Sequence, residues 1–266
     1  MAGSPGSSLG AGFDPTVANV ARVYDYLLGG RDNFAVDREL GDQLLAAFPE
    51  SGWIARQNRE FAARAVRYCA EQGVSQFLDI GSGLPTMNNV HQVARSVVPA
   101  ARVVYVDNDK VAHSHAEALL TTGDGVAAIF GDVRAPEQIL ADIRARRLLD
   151  LGKPFVVLMT AVLHFITDEE KPEELVTVFK NAMPTGSFLV LTHATHDWQP
   201  EESERAIRMY RRASAPLVTR SRIDIAALFR DLELVPPGLV RSSRWRPAEE
   251  TDAEFSDLFG GVGRKP

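Results

Sequence analysis

One cysteine, Cys69, stands in 266 residues. A lone thiol closes no internal disulfide, and no Cys/His spacing has the form of a zinc site, so the fold must rest on its own core, and no metal is expected. Sparse cysteine also points to a reducing compartment, the cytoplasm. Long apolar runs are missing as well: nothing approaches the roughly 18 consecutive apolar residues of a membrane span. The opening MAGSPGSS lacks the basic and apolar regions of a secretion signal and reads as part of a disordered leader, residues 1–14. Nor is there an excess of positive charge. Lys+Arg 29 against Asp+Glu 35 gives a net charge of -6, which argues against a nucleic-acid partner. No repeat with a period of about 20 to 50 residues is visible, which excludes solenoids and propellers.

What is present is alternation. Short apolar runs at Gln76–Ile80, Arg102–Asp107, Val126–Phe130, Phe155–Met159 and Ser187–Thr192 are separated by helical patterns near Thr86–Val98, Lys110–Thr121, Pro136–Leu149 and Asp168–Asn181. Near-continuous apolar runs mark strands buried on both faces, so an α/β fold with a mainly parallel sheet and helices on both faces is expected. Residues 15–74 hold no convincing strand, only helical pattern broken at Gly29-Gly30 and at Pro49–Gly52 and closed by Gly73; they read as an N-terminal helical cap. After helices over Glu201–Arg212 and Ile223–Arg230, the segments Glu233–Val235 and Leu239–Arg244 flank Pro236-Pro237-Gly238, a tight turn that makes them an antiparallel pair. The sheet domain then spans residues 75–247, and 248–266 reads as a tail.

The chemistry concentrates after the first strand, in Asp79-Ile80-Gly81-Ser82-Gly83. Gly81 and Gly83 let the backbone turn sharply and approach a ligand. Asp107, 24 residues past Gly83, ends the second strand near the distance at which an acid meets ribose hydroxyls in nucleotide folds. Asp132 follows the third strand, where an acceptor suits the exocyclic amine of adenine. A nicotinamide-dependent oxidoreductase would want a third glycine where Thr86 stands. Asp79, inside the first strand, would sit badly beside a pyrophosphate but suits a cation. Ribose, adenine and positive charge together describe S-adenosylmethionine.

The motifs FLDIGSG, VVYVDND and GDVRAP resemble the first three motifs of class I S-adenosylmethionine-dependent methyltransferases, and VLMTAVLHFI resembles the segment after their fourth strand. The upstream blocks VARVYDYLLGGRDNFAVDRE and ARQNREFAARAVRYCAEQGVSQFLDIGSGLPT are similar to an actinobacterial S-adenosyl methyltransferase family, formerly a domain of unknown function. The resemblance implies a Rossmann-like, seven-stranded, mostly parallel sheet with an antiparallel last strand. It implies that Gly81, Ser82 and Gly83 line the methionine and ribose end, with Asp79 near the sulfonium. Asp107 would hold the ribose, Asn108 would lie beside the adenine, and Asp132 and the Val133 backbone would bind the ring. Thr160 through His164 would flank the transferring methyl.

Three further groups are candidates. Tyr24, Asp25 and Asn33 would face the cofactor from a lid hinged at Gly29-Gly30. Arg56 and Arg59 share a helix face, and one of them would clamp the cofactor carboxylate; Arg59 is the choice. His164 has the pKa range of a general base. The helix over Glu201–Arg212 reads as a solvated face, although the resemblance puts it in the insertion that shapes an acceptor pocket. A small-molecule acceptor is expected, with a non-catalytic S-adenosylmethionine-binding regulator as the alternative. Neither the acceptor nor the oligomeric state is legible.

Overall fold

The structure is a computed structural model that describes residues 14, 16–85, 88–120, 124–248 and 258–266. The expected leader, apart from Asp14, and Thr86 lie outside those residues. In chain order the elements are α1 (Val20–Leu27), α2 (Ala35–Ala47), α3 (Ser51–Glu71), β1 (Gln76–Ile80), α4 (Val90–Arg95), β2 (Arg102–Asp107) and α5 (Lys110–Leu120). There follow β3 (Val126–Phe130), α6 (Pro136–Ala145), β4 (Val156–Thr160), α7 (Pro172–Ala182), β5 (Phe188–His193), α8 (Pro200–Tyr210), α9 (Arg222–Ala227), β6 (Glu233–Leu234), β7 (Val240–Arg241) and β8 (Phe259–Arg264). Among the described residues no helix is long and apolar enough to cross a membrane.

One sheet runs β3-β2-β1-β4-β5-β8-β6, parallel through β5 and antiparallel at β8. Strand residues alternate between two cores. Leu78, Val104, Val157 and Leu189 face α6, α7 and α9, while Phe77, Val103, Val156 and Phe188 face α3, α4 and α5. Chain direction reverses its progress across the sheet between β1 and β4, so the carboxyl ends of these strands open the crevice in which such sheets bind ligands.

Two boundaries depart from the sequence expectation. The segment read as a tail contains β8, which sits between β5 and β6 and pairs with β5 over six residues. Its composition, FGGVGR, concealed it, because glycine is weak in strands. The glycines are required by packing: a Cβ at Gly260 would meet the Phe61 ring at 3.0 Å, and one at Gly263 would meet Phe229 at 2.9 Å. The second departure is the pairing of β6 and β7. They do not form a hairpin with each other; both pair antiparallel with β8, so these two short segments share the edge position of a seven-place sheet.

The expected cap over 15–74 also divides. Phe61, Ala65, Val66 and Cys69 of α3 are fully buried against the sheet, so α3 is a layer of the domain. Only α1 and α2 form a separate small core, in which Val23, Leu40, Leu44 and Phe48 pack with Ala206, Met209 and Tyr210 of α8.

Candidate functional site

At the carboxyl ends of β1, β2 and β4 lies a cavity of about 580 Å³, within the usual range for small-molecule sites. Asp79, Gly81, Ser82, Gly83, Asp107, Asn108, Val133, Thr160, Tyr24 and Arg59 all line it. Gly81 (φ +65°) and Gly83 (φ +64°) adopt the left-handed conformation that favours glycine. Space decides further at Gly81, where a Cβ would fall 2.4 Å from Val162 Cγ2. At Gly83 nothing stands within 4 Å of such a Cβ, which leaves the backbone open toward the cavity.

Asp107 is held at both oxygens: the Gly83 N–H donates to Oδ2 and the Asp109 N–H to Oδ1, each at 2.8 Å. Burial pushes its carboxyl up to about 6, against the pull of those two amides. Burial also pushes Asp79 up to about 7; Arg59 draws it down and Asp107 adds to the rise. Arg59 donates to the Leu84 carbonyl at 3.2 Å and lies 5.9 Å from the Tyr24 ring, while its Nε is buried without a hydrogen-bond partner. Ser82 Oγ is a second unpartnered buried polar atom of the lining. Arg56 is exposed and does not reach the cavity, so of the two candidate arginines the helix presents Arg59.

Three residues expected here are turned elsewhere. Asp25 is buried outside the lining and accepts from the Asp32 N–H (3.0 Å) and Asn33 Nδ2 (2.8 Å), so Asp25 and Asn33 tie the loop after α1 to itself. A Cβ on Gly30 would overlap the Asp25 carboxylate at 2.0 Å, whereas Gly29 (φ +82°) has nothing within 4 Å of such a Cβ. Asp132 sits at the rim, outside the lining, accepting from Asn108 Nδ2 (2.9 Å) and the Arg134 N–H (2.9 Å). Burial pushes its carboxyl up, but the Arg134 N–H, Asn108 and the Arg134 guanidinium outweigh it and hold the group below its ordinary value.

Other contributors were missed. Asn58 of α3, nearly fully buried, lies in the lining at the centre of a hydrogen-bonded chain. The Ala161 N–H donates to Thr192 Oγ1 (2.8 Å), which donates to Asn58 Oδ1 (2.7 Å). Asn58 Nδ2 in turn donates to the Tyr24 hydroxyl (2.8 Å), which donates to the Ala55 carbonyl (2.9 Å). This chain fixes Ala161, a non-glycine residue at φ +58° just past β4. A signal existed: Asn58 occupies an apolar position in the i, i+4 series with Ala62 and Val66. Arg22 is another. Its Nε donates to Asp37 (2.7 Å) and its Nη1 to the lining residue Asp109 (3.1 Å), all three buried, so α1 and α2 are clamped to the β2 end of the site.

A second cavity of about 190 Å³ shares Val20, Tyr24, Ala161 and Phe165 with the first. His164 lines this one and not the first. Its Nδ1 accepts from the Ala194 N–H (3.3 Å), which puts the proton of the neutral ring on Nε2. Burial, then His193 and Arg220, hold its pKa well below the ordinary value. The amide on Nδ1 and the lowered pKa both weaken His164 for the general-base role that the sequence suggested. His193 uses both ring nitrogens, one on the Ala194 carbonyl and one on Arg220. Arg220, itself buried, also holds the carbonyls of Leu163 and Ile166 and the Asp168 carboxylate, and so fixes the loop that carries His164.

No curated protein matches the sequence. Among solved structures, a DUF574 family protein from Streptomyces avermitilis MA-4680 is 36% identical over 95% of this chain and 99% of its own, with a TM-score of 0.91. A methyltransferase candidate from Thermobifida fusca YX is 38% identical over 96% of this chain and 97% of its own, with a TM-score of 0.90. The N-methyltransferase NodS from Bradyrhizobium japonicum WM9, solved with S-adenosyl-L-homocysteine, is 16% identical over 92% of this chain and 99% of its own; its TM-score of 0.51 supports a common fold. The family model described as S-adenosyl methyltransferase matches residues 8–266. The chain therefore belongs to the S-adenosyl methyltransferase family and is an S-adenosylmethionine-dependent methyltransferase.

Proposed function

We propose that the first cavity holds S-adenosylmethionine, that the second receives a small-molecule acceptor, and that the methyl passes directly between them. The observation that carries this reading is the shared wall: Val20, Tyr24, Ala161 and Phe165 border both spaces, so two molecules seated in them would meet there. The first cavity fits the cofactor by its donor set. Asp107, oriented by two backbone amides, has lone pairs left for a diol. Asp79 offers a buried carboxylate to positive charge, and the unpartnered Arg59 Nε and Ser82 Oγ are donors for a carboxylate. Asn108 and the Val133 backbone are the adenine contacts in this reading, with Asp132 holding Asn108 in place.

When bound, S-adenosylmethionine supplies an electrophilic methyl carbon, whose bond to sulfur breaks as a lone pair of the acceptor forms the new bond. The chain's own contribution is orientation and exclusion of water, effects worth up to roughly 7–11 kcal/mol for well-aligned partners. The Ala161–Thr192–Asn58–Tyr24 chain fixes the wall against which both molecules rest. The acceptor's proton leaves to solvent. We take α1 and α2, with α8, as the cap that roofs the site, and the cytoplasm as its location, consistent with a buried single thiol at Cys69.

Calorimetry with S-adenosylmethionine and with NAD tests the cofactor, and product analysis across a small-molecule acceptor library tests the transfer. Tight NAD binding without S-adenosylmethionine binding would overturn the first. Cofactor binding with no methyl transferred to any acceptor would favour a regulator over an enzyme of small molecules.

A further inference from the structure

The second cavity has an uneven chemistry. Leu27, Leu44, Phe48, Ile54 and Leu217 make its wall apolar, yet two carboxylates, Glu50 and Glu202, also line it, and among the described residues its lining contains no lysine or arginine. Glu202 Oε2 is buried without a hydrogen-bond partner. Of the basic residues of the same helix, Arg208 pairs with Glu204 at 3.7 Å, and Arg205, itself outside the lining, lies 5.6 Å from the ring of the wall residue Phe48. A buried carboxylate oxygen with no partner is costly to the fold and contributes nothing to its packing. Its natural complement is a cation brought by a ligand. His164, the ring in the same wall, is neutral and does not repel one. Size narrows the choice, since an apolar cavity of roughly 150 Å³ accepts a benzene ring, and this one measures about 190 Å³.

Resting on the reading that this cavity receives the acceptor, we infer that the acceptor carries an apolar body of about one ring and a cationic amine, and that Glu202 recognises the amine. Charge-assisted hydrogen bonds are about twice as strong as neutral ones.

The test uses the full chain saturated with S-adenosylhomocysteine and three soluble probes of one size: 2-phenylethylamine, 2-phenylethanol and 3-phenylpropanoate. Titration followed by ligand-observed NMR should show the amine binding at least ten-fold tighter than the alcohol, with the anion weakest. Glu202→Gln should reduce the amine's advantage to within about two-fold. Ala206→Trp, which fills the cavity from α8, should abolish binding of all three. Equal affinity of amine and alcohol for the native chain, an undiminished preference in Glu202→Gln, or amine binding that survives Ala206→Trp would each overturn the inference. S-adenosylhomocysteine binding is measured separately by calorimetry, so a failed cofactor site and a failed amine site give different results. Glu202 does not line the first cavity, and Glu202→Gln should leave that affinity unchanged.

Discussion

Cofactor affinity should depend steeply on pH between 6.0 and 7.5, and two buried carboxyls set the size of the effect. Asp79 titrates at about 7 and Asp107 at about 6 in the ligand-free chain, each raised chiefly by burial. Both must be ionised to serve a cation and a diol, so protonation competes with binding. With those values, lowering the pH from 7.5 to 6.0 weakens binding about 8-fold through Asp79 and about 2-fold through Asp107, roughly 15-fold together or about 1.6 kcal/mol. Folding stability runs the opposite way. A carboxyl whose folded pKa is raised favours the folded state most below the ordinary carboxylate range, and that contribution is lost as pH climbs through 6 and 7. The buried His164 and His193, whose pKa values are lowered, act in the opposite sense across the same window, so the carboxyl contribution is isolated by comparison: the native ligand-free chain should lose melting temperature relative to Asp79→Asn between pH 5.5 and pH 7.5, while the increment added by S-adenosylhomocysteine grows with pH. Isothermal titration at pH 6.0 and 7.5, in two buffers of different ionisation enthalpy, measures both affinity and protons released. Asp79→Asn should cut the affinity ratio between the two pH values to about 2-fold. A native affinity constant across this window, with no proton released on binding, would refute the assignment of these carboxyls to the cofactor.

Three further outcomes follow from packing and charge. Asp107→Ala should weaken S-adenosylmethionine at least ten-fold in calorimetry with the circular dichroism spectrum unchanged, since its partners Gly83 and Asp109 both line the cavity, where water can take the place of the lost carboxylate. Arg22→Met strands two buried carboxylates, Asp37 and Asp109; breaking such a cluster from one side costs about 3–5 kcal/mol, seen in thermal melts as a fall of roughly 6–20 °C. Gly263→Val forces a side chain into Phe229 and Leu232, and the overpacking should destabilise the chain by about 1–3 kcal/mol in urea titrations.

Much of the molecule was determined by sequence acting locally. Five strands read as continuous apolar runs because a parallel sheet covered on both faces leaves no polar side, and three of them, Gln76–Ile80, Arg102–Asp107 and Val126–Phe130, keep the expected bounds. Gly81, Gly83, Asp79 and Asp107 were legible for the same reason: a sharp turn after a buried strand, followed by an acid at the next strand's end, is a short-range pattern with few other uses. Tertiary structure decided everything that depends on what stands opposite. β8 is invisible in FGGVGR because its glycines answer to Phe61 and Phe229, rings supplied from elsewhere in the chain. The same dependence turned Asp25 and Asn33 toward each other, left Arg56 in solvent while Arg59 faces the cavity, and fixed the proton of His164 on Nε2 through an amide thirty residues away. It also turned one carboxylate of an apparently solvated helix, Glu202, into the wall of an apolar cavity. Backbone conformation and burial pattern are properties of neighbours in sequence, whereas the partner of a polar atom is a property of the packed fold, and a cavity is a property of the packing itself.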